Sequence, residues 1–136
     1  MRLVYIAGPF RARTAWDIEE NVRHAERIGV EVARAGAMPV IPHANTRYFS
    51  GINDDQFWLD GTLEMLKRCD AIVLSPHWQR SAGSRGEREH ALTWPMPVFY
   101  AEEIVRLGKI LLPVRFYDWL GSPQKSSDNV VRGAQP

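Results

Sequence analysis

Leu3-Val4-Tyr5-Ile6-Ala7-Gly8-Pro9 opens the chain with an unbroken apolar run that ends on a Gly-Pro pair. Consecutive apolar residues without polar alternation read as a strand buried on both faces, and Gly-Pro ends it in a sharp turn. A helical pattern follows. Between Ala15 and Ala35 the apolar positions Ile18, Val22, Ala25, Ile28, Val32 and Ala35 recur every three or four residues, with Glu19, Glu20, Arg23, Arg27, Glu31 and Arg34 mostly on the other side. Thr14 is its expected cap and Gly36 its expected stop.

The alternation continues outward. Met38–Ile41 reads as a second strand, Pro42–Asp54 as a polar loop with aromatics, and Asp55–Arg68 as a helix carrying Phe57, Leu59, Leu63 and Leu66. Asp70 introduces a third strand, Ala71–Leu74; Ser84–Thr93 is the next predicted helix, ended by Pro95, and Pro97–Tyr100 a fourth strand. A short helix over Ala101–Leu107 and a fifth strand over Ile110–Val114, confined to an edge by Pro113, complete the expectation. Residues 121–136, rich in Gly, Ser, Pro, Asn, Gln and Lys, read as a disordered tail.

Parallel neighbours need a crossover, and the intervening helices provide it. The predicted fold is therefore α/β: a single-domain, Rossmann-like (flavodoxin-like) parallel sheet of four to five strands with helices on both faces, occupying residues 1–120. Ligands of such sheets bind beyond the carboxyl ends of the strands. Gly8-Pro9-Phe10, Pro42-His43-Ala44-Asn45 and the stretch from Ser75 to Glu87 border the expected cleft.

With 136 residues and 45% hydrophobic composition, the chain has material for one core. A formal charge of +1, with Lys and Arg mixed among Asp and Glu, lacks the clustered basic face of a nucleic-acid polymer binder, so a small molecule is the expected partner. The single cysteine, Cys69, excludes an intrachain disulfide and lies at the start of an apolar strand, where packing is its expected role. No charged leader with an apolar h-region precedes Leu3, and no apolar run reaches the roughly 18 residues that span a bilayer. A cytoplasmic protein with no membrane partner is expected. No His, Cys and Asp cluster has metal-ligand spacing in the sequence, so neither a metal nor another cofactor is implied.

Chemistry concentrates after the third strand. Ser81-Ala82-Gly83-Ser84-Arg85-Gly86-Glu87 is a donor-rich turn that delivers one carboxylate to the mouth of the sheet. Ser81, Gly83 and Ser84, with Arg85 nearby, suit an anion at a helix N-terminus; the alternative is a flexible turn with capping serines. For Glu87 the alternative is an ordinary acid in the first turn of a helix, worth roughly 0.3–1 kcal/mol through the dipole. Glu89, two residues on, points about 200° around the helix.

On these residues the chain resembles the nucleoside 2-deoxyribosyltransferase superfamily, which includes the 2'-deoxynucleoside 5'-phosphate N-hydrolases. Tyr5-Ile6-Ala7-Gly8-Pro9-Phe10 is similar to the family's first-strand motif, Arg68–Leu74 to the strand leading into its site, and Ser81, Gly83 and Glu87 reproduce its S-x-G-x-x-x-E spacing. The resemblance runs from about Leu3 to Tyr100. It implies cleavage of the N-glycosidic bond of a nucleoside or nucleoside 5'-monophosphate, with Glu87 as nucleophile and hydrolysis slightly preferred over base transfer. It also implies a homodimer or larger homo-oligomer. Thr62 stands where many relatives carry an aspartate, and the nearest acid is Asp60.

As the base leaves, positive charge builds on the sugar, and a carboxylate such as Glu87 stabilises or captures it. Asp60, Tyr5 or solvent supplies the proton to the base. Gly8, Pro9, Phe10, His43, Asn45, Ser81, Gly83 and Ser84 are the expected substrate contacts. Phe10 either stacks on the base or lids the core, and His43 either touches substrate or is a hydrogen-bonded structural group. A catalytically silent nucleotide-binding module is the alternative from another functional class.

Overall fold

The computed structural model describes residues 1–123. The strands β1 (Leu3–Ala7), β2 (Met38–Val40), β3 (Ala71–Leu74) and β4 (Val98–Tyr100) form one parallel sheet in the order β2-β1-β3-β4. The helices are α1 (Ala15–Ala35), α2 (Pro42–Asn45), α3 (Asp55–Lys67), α4 (Ala82–Thr93) and α5 (Val114–Gly121). The fold is the expected single-domain Rossmann-like α/β architecture. Its strand order reverses between β1 and β3, because the chain leaves β1 for β2 on one side and returns to place β3 on the other.

Side-chain alternation along each strand divides the core into two layers. Val4, Ile6, Ala71, Val73 and Phe99 face one way and pack with Ala25, Ile28 and Val32 of α1 and Phe116 of α5. Tyr5, Ala7, Ile72, Leu74 and Val98 face the other way, against Leu66 of α3 and Ala91 of α4. Each fully buried Val, Leu or Ile stabilises by about 1.5–3 kcal/mol relative to exposure, so both layers are needed to offset chain entropy. Thr14 accepts from the Asp17 amide at 3.1 Å, and Gly36, at φ 106°, ends α1 in the left-handed region that glycine tolerates.

Four sequence expectations are corrected. Pro42–Asn45 is a short helix rather than loop, Pro42 occupying a first-turn position where its missing N–H costs nothing. The helix expected at Ser84 begins at Ala82, because the Ser81 hydroxyl accepts from the Ser84 amide at 3.1 Å and caps it two residues earlier. Ala101–Leu107 is not a helix: Glu102–Ile104 forms β5, which pairs antiparallel with β6 (Lys109–Leu111) after a 3₁₀ turn closed by Gly108 at φ 59°. The fifth strand therefore lies in this separate hairpin and not at an edge of the main sheet.

The last helix was not foreseen. Phe116 is fully buried on the α1 side of the sheet, and Arg2 locks the helix end by donating to the carbonyls of Trp119 and Ser122, the latter at 2.6 Å, while lying 4.4 Å from the Trp119 ring centroid. Gly121, assigned to the tail from sequence, ends α5, and Ser122 is tied to Arg2 immediately before β1; residues 124–136 lie outside the described residues. Among the described residues no helix is long and apolar enough to cross a membrane.

Candidate active site

The reversal of strand order puts the ends of β1 and β3 side by side, the position at which open α/β sheets bind ligands. Gly8 leaves β1 against Ser75, which leaves β3: a Cβ on Gly8 would meet Ser75 Oγ at 2.9 Å. Only glycine permits that approach. The Ser75 amide donates to the Ala7 carbonyl at 2.8 Å and prolongs the pairing to the rim.

On the α3–α4 side, one strand residue carries a polar group into the apolar layer. Tyr5 is fully buried, and its hydroxyl donates to Glu87 Oε2 on α4. Glu87 is half-buried, and burial pushes its carboxyl up to about 7 from an ordinary 4.5, while the Tyr5 hydrogen bond acts in the opposite direction. Tyr5 is held well above the usual phenol range by burial first and by the Glu87 charge second, with the Thr62 side chain partly offsetting both. Tyr5 thus serves as a positioning donor. Near pH 7 the pair lies close to the midpoint between carboxylate and carboxylic acid.

The other expected site residues divide. Asp60 is exposed on α3 and accepts from Gln56 Nε2 at 2.8 Å; among the described residues it makes no hydrogen bond to Tyr5 or Glu87. Position 62, two residues further along the helix, is the one whose side chain acts on Tyr5. Glu89 is exposed and pairs with Arg88 at 2.9 Å. Ser81 caps α4, Gly83 lies in its first turn, and Ser84 is buried with its Oγ unpartnered among the described residues. Arg85 donates to the Gln79 carbonyl at 2.6 Å, which turns it toward the preceding loop.

His43 is buried beneath the β1 turn, its Nε2 2.8 Å from the Gly8 carbonyl and its ring edge-on to Phe10 with centroids 5.7 Å apart. Burial lowers its pKa, so the neutral ring donates to Gly8 at pH 7. That arrangement fits a structural histidine that sets the course of Gly8-Pro9-Phe10. Pro9 and Phe10 are half-buried on that turn, and Asn45 ends α2 exposed to solvent. Cys69 is buried, its thiol pushed up to about 12 by burial and donating to the Met65 carbonyl at 3.3 Å, consistent with packing.

Two concavities open at the carboxyl rim. The larger, about 570 Å³ and wide open, is bordered by Ser75, Trp78, Gln79, Tyr100 and Glu103. The smaller, about 30 Å³, is bordered by Gly8, Pro9, Asn21, His24, Ser75 and His77. Neither is lined by Glu87, Phe10 or Ser81. Arg88, the residue after Glu87, reaches the border of the larger one: its guanidinium lies 5.0 Å from the Trp78 ring centroid and donates to the Tyr100 hydroxyl at 2.7 Å. Tyr100 and Arg88 were not singled out from sequence, since each belongs to an element whose other face carries the periodic signal.

A family model described as Domain of unknown function (DUF7768) matches residues 2–101. The chain belongs to the DUF7768 family. The DUF7768 match takes in all four parallel strands, Tyr5 and Glu87, and ends immediately before β5. No curated protein matches the chain at a significant level.

Proposed function

We propose that the chain cleaves the N-glycosidic bond of nucleosides or nucleoside 5'-monophosphates, with Glu87 as nucleophile and hydrolysis favoured over base transfer. The observation that carries the reading is the Tyr5–Glu87 pair: a half-buried carboxylate on the α3–α4 face of a parallel sheet, held by a phenol from an inner strand. One Glu87 oxygen accepts from Tyr5, and the other is left to attack the anomeric carbon. The bond to the base breaks with its electron pair going to the base nitrogen, and water then opens the glycosyl ester and regenerates the carboxylate. Tyr5 is committed to Glu87 and Asp60 faces solvent, so water protonates the leaving base. The resemblance in Tyr5–Phe10 and in Ser81, Gly83 and Glu87 supports the same substrate class. A cytoplasmic setting, where such nucleotides are made and a buried thiol such as Cys69 stays reduced, accords with it.

The test is chromatography of deoxynucleoside 5'-monophosphates incubated with the protein, with and without an acceptor base. Free base is expected, and its absence in both arms overturns the reading. A second reading, a catalytically silent nucleotide-binding module, is favoured by the lining of both concavities by residues other than Glu87. Calorimetry that detects saturable nucleotide binding without any product selects it.

A further inference from the structure

On the α1 side of the rim, opposite the Tyr5–Glu87 pair, three side chains from distant parts of the sequence converge. His24 comes from the middle of α1, His77 from the turn after β3, and Glu103 from the centre of β5. Each offers one ligand atom, and the three atoms all lie within 4.8 Å of one another. His24 Nε2 and Glu103 Oε2 are 3.2 Å apart, with the two side chains only 18% and 12% exposed. The imidazoles of His24 and His77 face each other at a 31° tilt, centroids 5.5 Å apart.

We propose that His24, His77 and Glu103 form a binding site for a divalent transition-metal ion, with zinc the best match. Ligand atoms around a tetrahedral zinc at about 2.0–2.1 Å lie roughly 3.3 Å from each other, which the His24–Glu103 pair already satisfies. Side-chain rotation that draws the His77 nitrogen inward by about 1.5 Å or less closes the set. The recess of about 30 Å³ lined by His24 and His77 is the size of a single ion or water. Two imidazoles with one carboxylate select zinc and its neighbours over magnesium or calcium, which require oxygen donors.

The surroundings orient the ligands. Arg27 Nη2 lies 3.4 Å from Glu103 Oε1 and donates to the Gly108 carbonyl at 2.6 Å, so the carboxylate is steadied on the side away from His24. The His77 amide donates to Ser75 Oγ at 3.2 Å, which holds the turn. Arg27 and Arg80 add positive charge and reduce affinity for a cation, and a carboxylate in the set offsets part of that. Three protein ligands leave a fourth position open to water or a ligand atom, the pattern of reactive rather than purely structural zinc sites. Glu103 borders the larger concavity as well, so an ion here lies beside the space available to a small molecule. The inference is independent of the role assigned to Glu87.

The test uses the full chain, without an affinity tag and stripped of metal by a chelator, titrated with zinc chloride by calorimetry and followed by thermal melting. One zinc per chain, a raised melting temperature and no response to magnesium are expected. His24→Ala and His77→Ala should each weaken binding at least about tenfold, the scale on which even groups behind metal ligands act. No saturable binding, or binding unchanged in either variant, overturns the site. If a variant fails to unfold cooperatively, cobalt(II) replaces it: intense visible bands of a tetrahedral ion with nitrogen ligands support the site in the unmodified chain, and the weak spectrum of hydrated cobalt overturns it.

Discussion

The Tyr5 hydroxyl reaches across 82 positions of sequence to donate to Glu87, joining the central strand of the sheet to the second turn of α4 through the layer that α4 covers. Breaking this bond has two separable consequences. Tyr5→Phe keeps the ring volume and removes the donor, so it leaves a buried acceptor without its partner. Loss of a hydrogen bond to a charged group costs about 1.5–3 kcal/mol, measurable by urea denaturation at pH 8. The same bond opposes the upward push of burial on Glu87, so the variant's pH–rate profile shifts to higher pH. A profile that stays in place, or moves down, contradicts the positioning role.

Glu87 itself sets a pH dependence whose sign follows from its raised carboxyl. Folding favours the protonated form, so its contribution to stability is complete below an unfolded value near 4.5 and is lost as pH rises through about 7. Glu87→Gln stays neutral throughout. The variant should match the parent near pH 4.5 and exceed it by up to about 3 kcal/mol at pH 8, as the shift from 4.5 to about 7 implies. Under the proposed function, base release by the variant should vanish, whereas that by the parent should rise with pH through neutrality as Glu87 ionises. Denaturant midpoints at the two pH values, together with base release, check both expectations.

Two glycines should respond in opposite directions to alanine. At Gly8 the new Cβ meets Ser75 Oγ at 2.9 Å and Ser75 Cβ at 3.0 Å on the packed rim between β1 and β3, and overpacking of this kind costs about 1–3 kcal/mol. At Gly86, inside α4, nothing lies within 4 Å of the added Cβ, and replacing a helical glycine by alanine stabilises by roughly 0.5–1 kcal/mol. Thermal melting of the two variants checks both directions.

Ser81 separates capping from ligand binding. Ser81→Ala removes the oxygen that accepts from the Ser84 amide, with an expected loss of about 1 kcal/mol. Ser81→Asp restores a cap of comparable strength, so its melting temperature should return close to the parent's. If the first turn of α4 receives a 5'-phosphate, the added negative charge raises KM for monophosphates and leaves KM for nucleosides nearly unchanged. Equal KM changes for both substrates remove the phosphate from that turn.

Much of the fold was legible because burial imprints a local period. The short unbroken runs Leu3–Ala7 and Ala71–Leu74, the first ended by Gly8-Pro9, read as strands covered on both faces, and the 3.6-residue rhythm of Ala15–Ala35, with Thr14 and Gly36 at its ends, marks α1 to the residue. Where the window was short, the period did not discriminate. Residues 101–107 suit a helical turn as well as a strand, and pairing with Lys109–Leu111 through the left-handed Gly108 decided for the strand. Pro113 was read as a limit on a strand, although it stands immediately before α5, where proline commonly precedes a helix; Phe116, Trp119 and Leu120, at i, i+3 and i+4, held the missed signal.

By itself the sequence determined the four strands of the main sheet, the helices α1, α3 and α4 between them, and the presence of Glu87 behind a capped, glycine-containing turn, because each of these is written within a few turns of the chain. Only the tertiary structure decided that Thr62 rather than Asp60 influences the Tyr5 hydroxyl, that Tyr5 holds Glu87, and that His24, His77 and Glu103 meet at one rim. Those relationships depend on which strands become neighbours and which helix covers each face. Strand neighbours are chosen by the energy of the whole packed sheet, so no spacing along the chain records them.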